Sequence, residues 1–437
     1  MGRFGTWTVA FVAAAVLAAG SFVPAQAAPV QAVPAQAVPG QAVPVRGPAA
    51  LVIAPEDQGA DRKGIRFATY NASLNRANPG DLIRDLADPS DAQAKAVAQV
   101  VQAAQPDVLL LNEFDYDARH EAAELFRTNY LGVSQQGQAP ADYPYIYTAP
   151  SNTGVPSGFD LNNDGSVGGP EDSYGYGTFE GQYGMVVYSK YPIDEAGVRT
   201  FQNFRWSDMP DARLPVDPVV RDAGWFSADE LATVRLSSKS HWDVPVTVGS
   251  RTVHVLVSHP TPPTFDGTED RNGKRNFDEI RLWADYIQGG ETARYIYDDD
   301  GRFGGLGRGE RFVILGDQNS DPRDGDSLRG SIDQLLESRL VQDPAPSADG
   351  AAEASALQGA ANAGHRGDPR HDTADFEDQG VGNLRVDYVL PSRTLKVLGS
   401  GIYWPKVGTP GSELTGIFPF PTSDHRLVSV DVSLRNQ

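Results

Sequence analysis

Phe312, Val313, Ile314 and Leu315 form an unbroken apolar run that ends at Gly316, with Asp317 and Asn319 following two residues apart. A run of this kind is a buried strand, and the glycine is its release point. If the chain stays extended, Asp317 and Asn319 project from the same side. A carboxylate beside an amide can hold a water and a polar substrate oxygen together. Gly, Asp and Asn also dominate turns for backbone reasons alone, so this segment by itself leaves a plain turn open. The constraint comes from repetition, because other apolar runs end in the same chemistry.

Residues 65–71 alternate as a first strand and close on Asn71. The spacing predicts a helix over 90–105, with Ser90 and Gln93 as a capping box, a stripe of Val97, Val100, Val101 and Ala104, and Pro106 as its stop. A second strand over 108–113 closes on Glu113, a third covers 185–188, and a fourth over 253–259 closes on His259. A helix over 278–287 buries Ile280, Trp283, Ala284 and Ile287 and stops at Gly289 and Gly290. Asp387 lies inside a strand over 384–390, and Asp424 and His425 precede a last one over 427–432. Strands separated by helices or long loops predict a layered α/β fold. Val, Ile and Leu on both strand faces predict sheets covered on both sides. One polar residue closing a strand is ordinary solvation. A whole set of metal-ligand and proton-transfer types at strand ends, where sites gather, is not.

The 437-residue chain has no cysteine and a net charge of -20. Residues 1–27 read as a secretory leader, with Arg3, an apolar run over 9–19 and Ala25-Gln26-Ala27 for cleavage. That run is too short for a permanent anchor, and no later stretch is long and apolar enough, so an exported protein without a transmembrane segment is expected. Gln-Ala-Val-Pro repeats three times within 31–44, which makes 28–60 an extended linker ahead of a domain over 61–437. Without disulfides, stability must come from a large core or a bound metal. The acidic balance argues against sequence-independent binding to duplex nucleic acid.

Thr69-Tyr70-Asn71, Leu111-Asn112-Glu113, residues 184–190, Val257-Ser258-His259, Gly316 to Asn319, Arg385-Val386-Asp387-Tyr388 and Ser423-Asp424-His425 occur in this order. Together they resemble the endonuclease/exonuclease/phosphatase superfamily, which includes pancreatic-type deoxyribonucleases, abasic-site endonucleases, bacterial sphingomyelinases and inositol-polyphosphate phosphatases. The resemblance spans residues 64–435. It implies a four-layered α/β sandwich, two packed mixed sheets flanked by helices. It also implies a divalent cation, Mg²⁺ or Mn²⁺, with Glu113 as principal ligand, Asn71 near metal and phosphate, and Asp424 as a ligand or its support. By the same resemblance Asp317 orients or deprotonates the attacking water and Asn319 holds a phosphate oxygen. His425 contacts the phosphoryl group with its tautomer fixed by Asp387, and His259 is an acid or transition-state donor. Which group is the base stays open. The expected activity is a secreted, metal-dependent phosphoesterase acting on a small phosphoester or phospholipid. A nuclease acting on DNA or RNA is the alternative, and an idle binding protein the reading from another class. No obligate protein partner is evident.

Two segments go beyond a minimal family member. Within an insertion over 150–182, Asp160, Asn162, Asp164, Ser166 and Glu171 fall at positions 1, 3, 5, 7 and 12 of an EF-hand spacing, with Gly165 at position 6. This predicts a Ca²⁺-stapled loop, against the plainer reading of an acidic, Gly-rich turn cluster. After His259, residues 260–276 carry Arg271, Lys274 and Arg275 and are expected to border the substrate cleft as a loop. There Arg271 and Arg275 could bind phosphate, or the loop could simply pair with Glu269, Asp270 and Asp278. Tyr183 is a substrate contact or a core tyrosine. His241 is expected in a structural loop, His254 against a packing layer or solvent, and His365 and His371 in solvated loops.

Overall fold

The computed structural model describes residues 64–220 and 223–434, so the expected leader and linker lie outside the described residues. In chain order the elements are β1 (Ile65–Leu74), α1 (Asp81–Ala87), α2 (Ala92–Ala104), β2 (Val108–Phe114), α3 (Glu121–Phe126), β3 (Tyr145–Tyr147) and β4 (Met185–Ser189). Next come β5 (Arg199–Thr200), α4 (Ala228–Leu231), β6 (His241–Val248), β7 (Arg251–Ser258), α5 (Arg271–Gln288), β8 (Phe312–Asp317), α6 (Asp333–Leu336) and α7 (Asp349–Gln358). The chain ends through β9 (Ala374–Asp375), β10 (Asn383–Leu384), β11 (Asp387–Pro391), β12 (Lys396–Ile402), α8 (Ser412–Thr415) and β13 (Val428–Ser433).

One sheet has the order β12-β13-β1-β2-β4-β3 and the other β11-β8-β7-β6-β5, with β10-β9 as a separate ribbon. β1 pairs with β2, and β7 with β8, in parallel, whereas β13, β4, β6 and β11 pair antiparallel, so both sheets are mixed. Period-2 alternation sorts their side chains into layers. Phe67, Val108, Leu110, Val187, Val428 and Val430 face Trp242, Val244, Val255, Val257, Val313 and Leu315 between the sheets. The other face of the first sheet, through Tyr70, Leu109, Leu111 and Tyr188, packs on α1, α2 and α3. The other face of the second, through Leu256, Ile314 and Leu390, packs on Ile280, Trp283 and Tyr286 of α5. Each fully buried side chain of this size contributes about 1.5–3 kcal/mol. Helices, sheet, sheet and helices make the four-layered sandwich.

Several expected elements shift. Helix α2 is capped by Asp91, whose carboxylate accepts the Ala94 N–H at 2.8 Å, and not by a box from Ser90. Gln93 instead donates to the carbonyls of Ser73 and Thr422 at 2.9 Å, tying the helix to the site. The strand expected over 384–390 is broken before Asp387, because the Thr373 hydroxyl accepts the N–H groups of both Val386 and Asp387. Helix α5 starts seven residues early, so Arg271 to Asn276 form its first turns and not a loop. His241 is the first residue of β6, donating through Nε2 to the Glu279 carbonyl at 3.0 Å while the Ser237 hydroxyl donates to Nδ1 at 2.6 Å. It is structural, as expected, but not in a loop. Among the described residues no helix is long and apolar enough to cross a membrane.

Gly316 is required by close packing. Its φ is 148°, and a Cβ there would lie 2.0 Å from the carbonyl oxygen of Ser258 on the neighbouring strand. Gly316→Ala is expected to cost at least about 1–3 kcal/mol, the range for overpacking a tight core. A thermal melt checks it; an unchanged midpoint would show that β7 and β8 can separate there.

Candidate active site

β1 and β2 in one sheet, and β8 with the edge strand β11 in the other, bring their polar residues to one side, at a cavity of about 1030 Å³. Register places Asp387 directly opposite Asp317 across β11 and β8. Like charges at paired positions destabilise a sheet, and His425 relieves them. Its Nδ1 donates to Asp387 Oδ2 at 2.9 Å, and its Nε2 lies 3.7 Å from Asp317 Oδ2. Burial alone would lower the imidazole pKa, but Asp387 and Asp317 outweigh it and hold His425 well above its ordinary value. Burial pushes Asp387 up, with the His425 charge opposing. Asp317 is held below the usual carboxylate range, because the charge of His425 and the bond from His259 overcome its burial.

Asp317 is the hub. Asn71 Nδ2 donates to its Oδ2 at 3.2 Å, His259 Nε2 lies 3.3 Å from the same oxygen, and the Asn319 N–H donates to Oδ1 at 2.9 Å. Asp317, Asp387 and His425 also form, among the described residues, a group with potential metal-donor atoms within 4.8 Å of one another. Only Nδ1 of His425 is hydrogen-bonded, to Asp387; at 3.7 Å from Asp317 its Nε2 keeps a hydrogen for the cavity, and we read the group as a chain of charge pairs. His259 is lowered to about 4 by burial and the charge of Lys239, so at neutral pH it is an uncharged imidazole serving Asp317. The two histidines of the site thus differ, His259 shifted down and His425 up.

Glu113 faces this chain from the first sheet. Its Oε1 accepts from Asn71 Nδ2 at 3.1 Å and its Oε2 from Asn75 Nδ2 at 2.9 Å, both neutral amides. Burial raises its pKa, and the charge of Asp424 adds to this. Asp424 lines the same cavity. A hard divalent cation fits here: Glu113 offers oxygen, and a positive charge would offset a carboxylate that has no ion pair among the described residues. Asn71 Oδ1 accepts the Ser73 N–H at 3.3 Å while Nδ2 bridges Glu113 and Asp317. It therefore positions both carboxylates, one from each sheet.

Backbone geometry departs from the sequence expectation at Asn319. Its φ is 49°, so the chain turns and does not carry Asn319 on in extended register with Asp317. Nδ2 donates to the Pro260 carbonyl at 3.1 Å, which leaves the second amide hydrogen for the cavity. Glu113 (57°) and Tyr183 (54°) share this left-handed conformation, and all three line the cavity. Strained non-glycine residues gather at functional sites. Tyr183 is thus on the cavity wall, its N–H held by Asp115 at 3.1 Å. Burial pushes Asp115 up to about 7.

The two additional segments are placed differently from expectation. In the acidic loop Asp160 accepts the N–H groups of Asp164 and Gly165, and Asp164 that of Ser166. Asn162 bonds Asp164, but Glu171 does not close the set. Its carboxylate, 46% exposed, lies 3.5 Å from Arg271 Nη2 and lines the cavity. Asp172 ties the loop instead, accepting from Leu161 and Gly168. Glu171, at position 12 of the expected Ca²⁺ set, thus pairs with an arginine of α5 in this structure. Arg275 is also reassigned: its guanidinium donates to the carbonyls of Leu236, Tyr174, Arg235 and Ser237, leaving no fork for phosphate. Arg271 stays at the cavity wall, paired with Glu269. His254 donates to Asp243 at 2.8 Å, away from the site. His365 and His371 bond the carbonyls of Val381 and Pro346 and are not free in solvent.

Sequence reasoning missed Lys239, Asn75 and Asp115. Asn75 and Asp115 lie just past the polar residues singled out at the ends of β1 and β2, and that proximity was a usable signal. Lys239, in a serine-rich loop before β6, gave none.

Asp387 acts through His425, which leads to a prediction. Asp387→Asn removes a negative partner, so the imidazole pKa falls and the alkaline limb of kcat/KM moves to lower pH. His425→Ala alone and the double variant should then be about equally impaired. Additive losses, or an unmoved alkaline limb, would break the pair.

The Endonuclease/Exonuclease/phosphatase family matches over residues 68–425, and no curated protein matches the chain. Among solved structures the chain is similar to the endonuclease/exonuclease/phosphatase from Beutenbergia cavernae DSM 12333, at 18% identity, 85% of this chain and 72% of that one covered, and a TM-score of 0.45. It is also similar to a mannosyl-6-phosphatase of Bacteroides thetaiotaomicron, at 13% identity, 84% and 99% covered, and a TM-score of 0.40. Truncated TDP2 of Caenorhabditis elegans gives 16% identity, 84% and 96% covered, and a TM-score of 0.39. The family is hydrolytic, contains phosphatases and nucleases, and usually employs a divalent metal. With the family match running from β1 to the catalytic-type His425, the chain belongs to the endonuclease/exonuclease/phosphatase family.

Proposed function

We propose that this protein is an exported, divalent-metal-dependent phosphoesterase that hydrolyses a phosphoester whose alcohol is small or apolar. The observation that carries the reading is the chain Asp387–His425–Asp317–His259 facing Glu113 across one cavity. Asp317, kept ionised, accepts a hydrogen bond from the attacking water and aligns it, with His259 and Asn71 holding the carboxylate in place. The His425 imidazolium donates to the phosphoryl group and its leaving oxygen, and Asp387 fixes its tautomer. Asn319 offers its second amide hydrogen to a phosphoryl oxygen. Mg²⁺ or Mn²⁺ at Glu113 supplies charge neutralisation and Lewis acidity.

The cavity wall supports the substrate class. Phe265, Phe376 and Tyr176 give it apolar surface, and Asp321, Asp324 and Asp326 line another part of it. Acidic groups there repel a polyanion, and an apolar wall suits the alcohol side of a phospholipid or another apolar phosphoester. The test is a panel of phosphomonoesters, phospholipid vesicles and plasmid DNA with Mg²⁺, Mn²⁺, Ca²⁺ or chelator. Metal-dependent release from phosphomonoester or phospholipid is expected. Turnover of DNA alone would replace the reading with a nuclease, and silence on every substrate would favour a binding protein on this fold. Recovery of the protein from culture medium, with residues 1–27 removed, tests export.

A further inference from the structure

Lys239 sits two residues before β6 and is only 7% exposed, yet it lines the same cavity as Glu113, His259 and Asp317. Its loop is held rigidly. The Asn152 N–H donates to the Lys239 carbonyl at 2.8 Å, the Ser238 N–H donates to Glu279 Oε1 at 2.6 Å, and Arg275 binds the carbonyl of Ser237. Glu279 is the carboxylate whose charge acts most on Lys239, but its oxygens accept the N–H groups of Ser238 and Thr261. Among the described residues, no ion pair or hydrogen bond to the Lys239 ammonium is found. Lys239 shares the cavity wall with Glu113, His259 and Asp317, which places it beside the reacting groups. A buried cation without a contacting anion is costly unless a partner arrives. Phosphate-binding lysines present this kind of point charge.

We infer that Lys239 binds a non-bridging oxygen of the substrate phosphoryl group and thereby neutralises charge that develops there. This rests on the phosphoesterase reading. It also accounts for the stiff loop, since a preorganised donor costs no reorganisation during the reaction.

The test uses full-length protein with Mg²⁺ and inorganic phosphate as the probe, measured by calorimetry and by inhibition of turnover. Lys239→Met and Lys239→Gln are expected to weaken phosphate binding at least about tenfold and to lower kcat/KM about a hundredfold, with Lys239→Arg recovering part of both. A structural role alone would move the melt and leave phosphate affinity of the folded fraction unchanged, and that result overturns the inference. If wild type neither binds phosphate nor turns over any phosphoester, the phosphoesterase reading falls and takes this inference with it. Wild-type activity with unaltered variants sinks the inference alone. Should the neutral variants fail to fold, reductive methylation of wild type decides. Phosphate with Mg²⁺ must protect Lys239, and equal labelling with and without phosphate, or none in either, overturns the assignment.

Discussion

Asp317→Asn is expected to lower kcat about a thousandfold, within the range for loss of a positioned acid–base group, and to lower the melting temperature as well. The two effects share a cause. Asp317 gathers donors from Asn71, His259 and Asn319 and faces the His425 imidazolium. An amide in its place presents N–H to groups that already donate. Its folded pKa is depressed, so the stability it contributes is present above its unfolded value of about 3.9 and lost as pH falls through the folded one. The variant should therefore be less stable than wild type at pH 7, with the gap closing at strongly acid pH. Turnover within threefold of wild type, on a substrate that wild type clearly hydrolyses, would remove Asp317 from the site.

Glu113→Gln is expected to abolish activity to a similar degree, about 4 kcal/mol of lost transition-state stabilisation or a thousandfold, but with the opposite effect on stability. Glu113 is a carboxylate held by two neutral amides, and burial with the charge of Asp424 raises its pKa. A raised folded pKa means that stability is full below the unfolded value of about 4.3 and is lost as pH rises through the folded one. In chelator at pH 7 the glutamine variant should melt above wild type, and at pH 4 the two should converge. Mg²⁺ should raise the wild-type melt by mass action and leave the variant unmoved. An equal Mg²⁺ shift in both proteins would place the cation elsewhere. Two inactive variants with opposite stability signs separate a residue that supports the fold from one that strains it.

Much of the site was legible because its signals are local. An apolar run ending on Asn71, Glu113, His259 or Asp317 can be read from a few neighbouring residues, since side-chain period and turn chemistry are properties of short segments. The order of those ends then matched one family. Asn319 was found by type but not by direction, because a single left-handed residue turns it away.

By itself, the sequence determined β1, β2, β4, β7, β8, β11 and β13 and the polar residues at several of their ends, but not β3, β5, β6, β9 or β12. Tertiary structure decided what those residues do. Asn71 and Asp317 lie 246 residues apart, and only the packing of the two sheets makes their bond, which lets Asn71 bridge two carboxylates. Glu171 pairs with Arg271, and Arg275 donates to four carbonyls, both arginines belonging to α5, which begins earlier than its apolar stripe. Lys239 had no local signature, since the value of a buried charge depends on which anions surround it, and those come from distant segments.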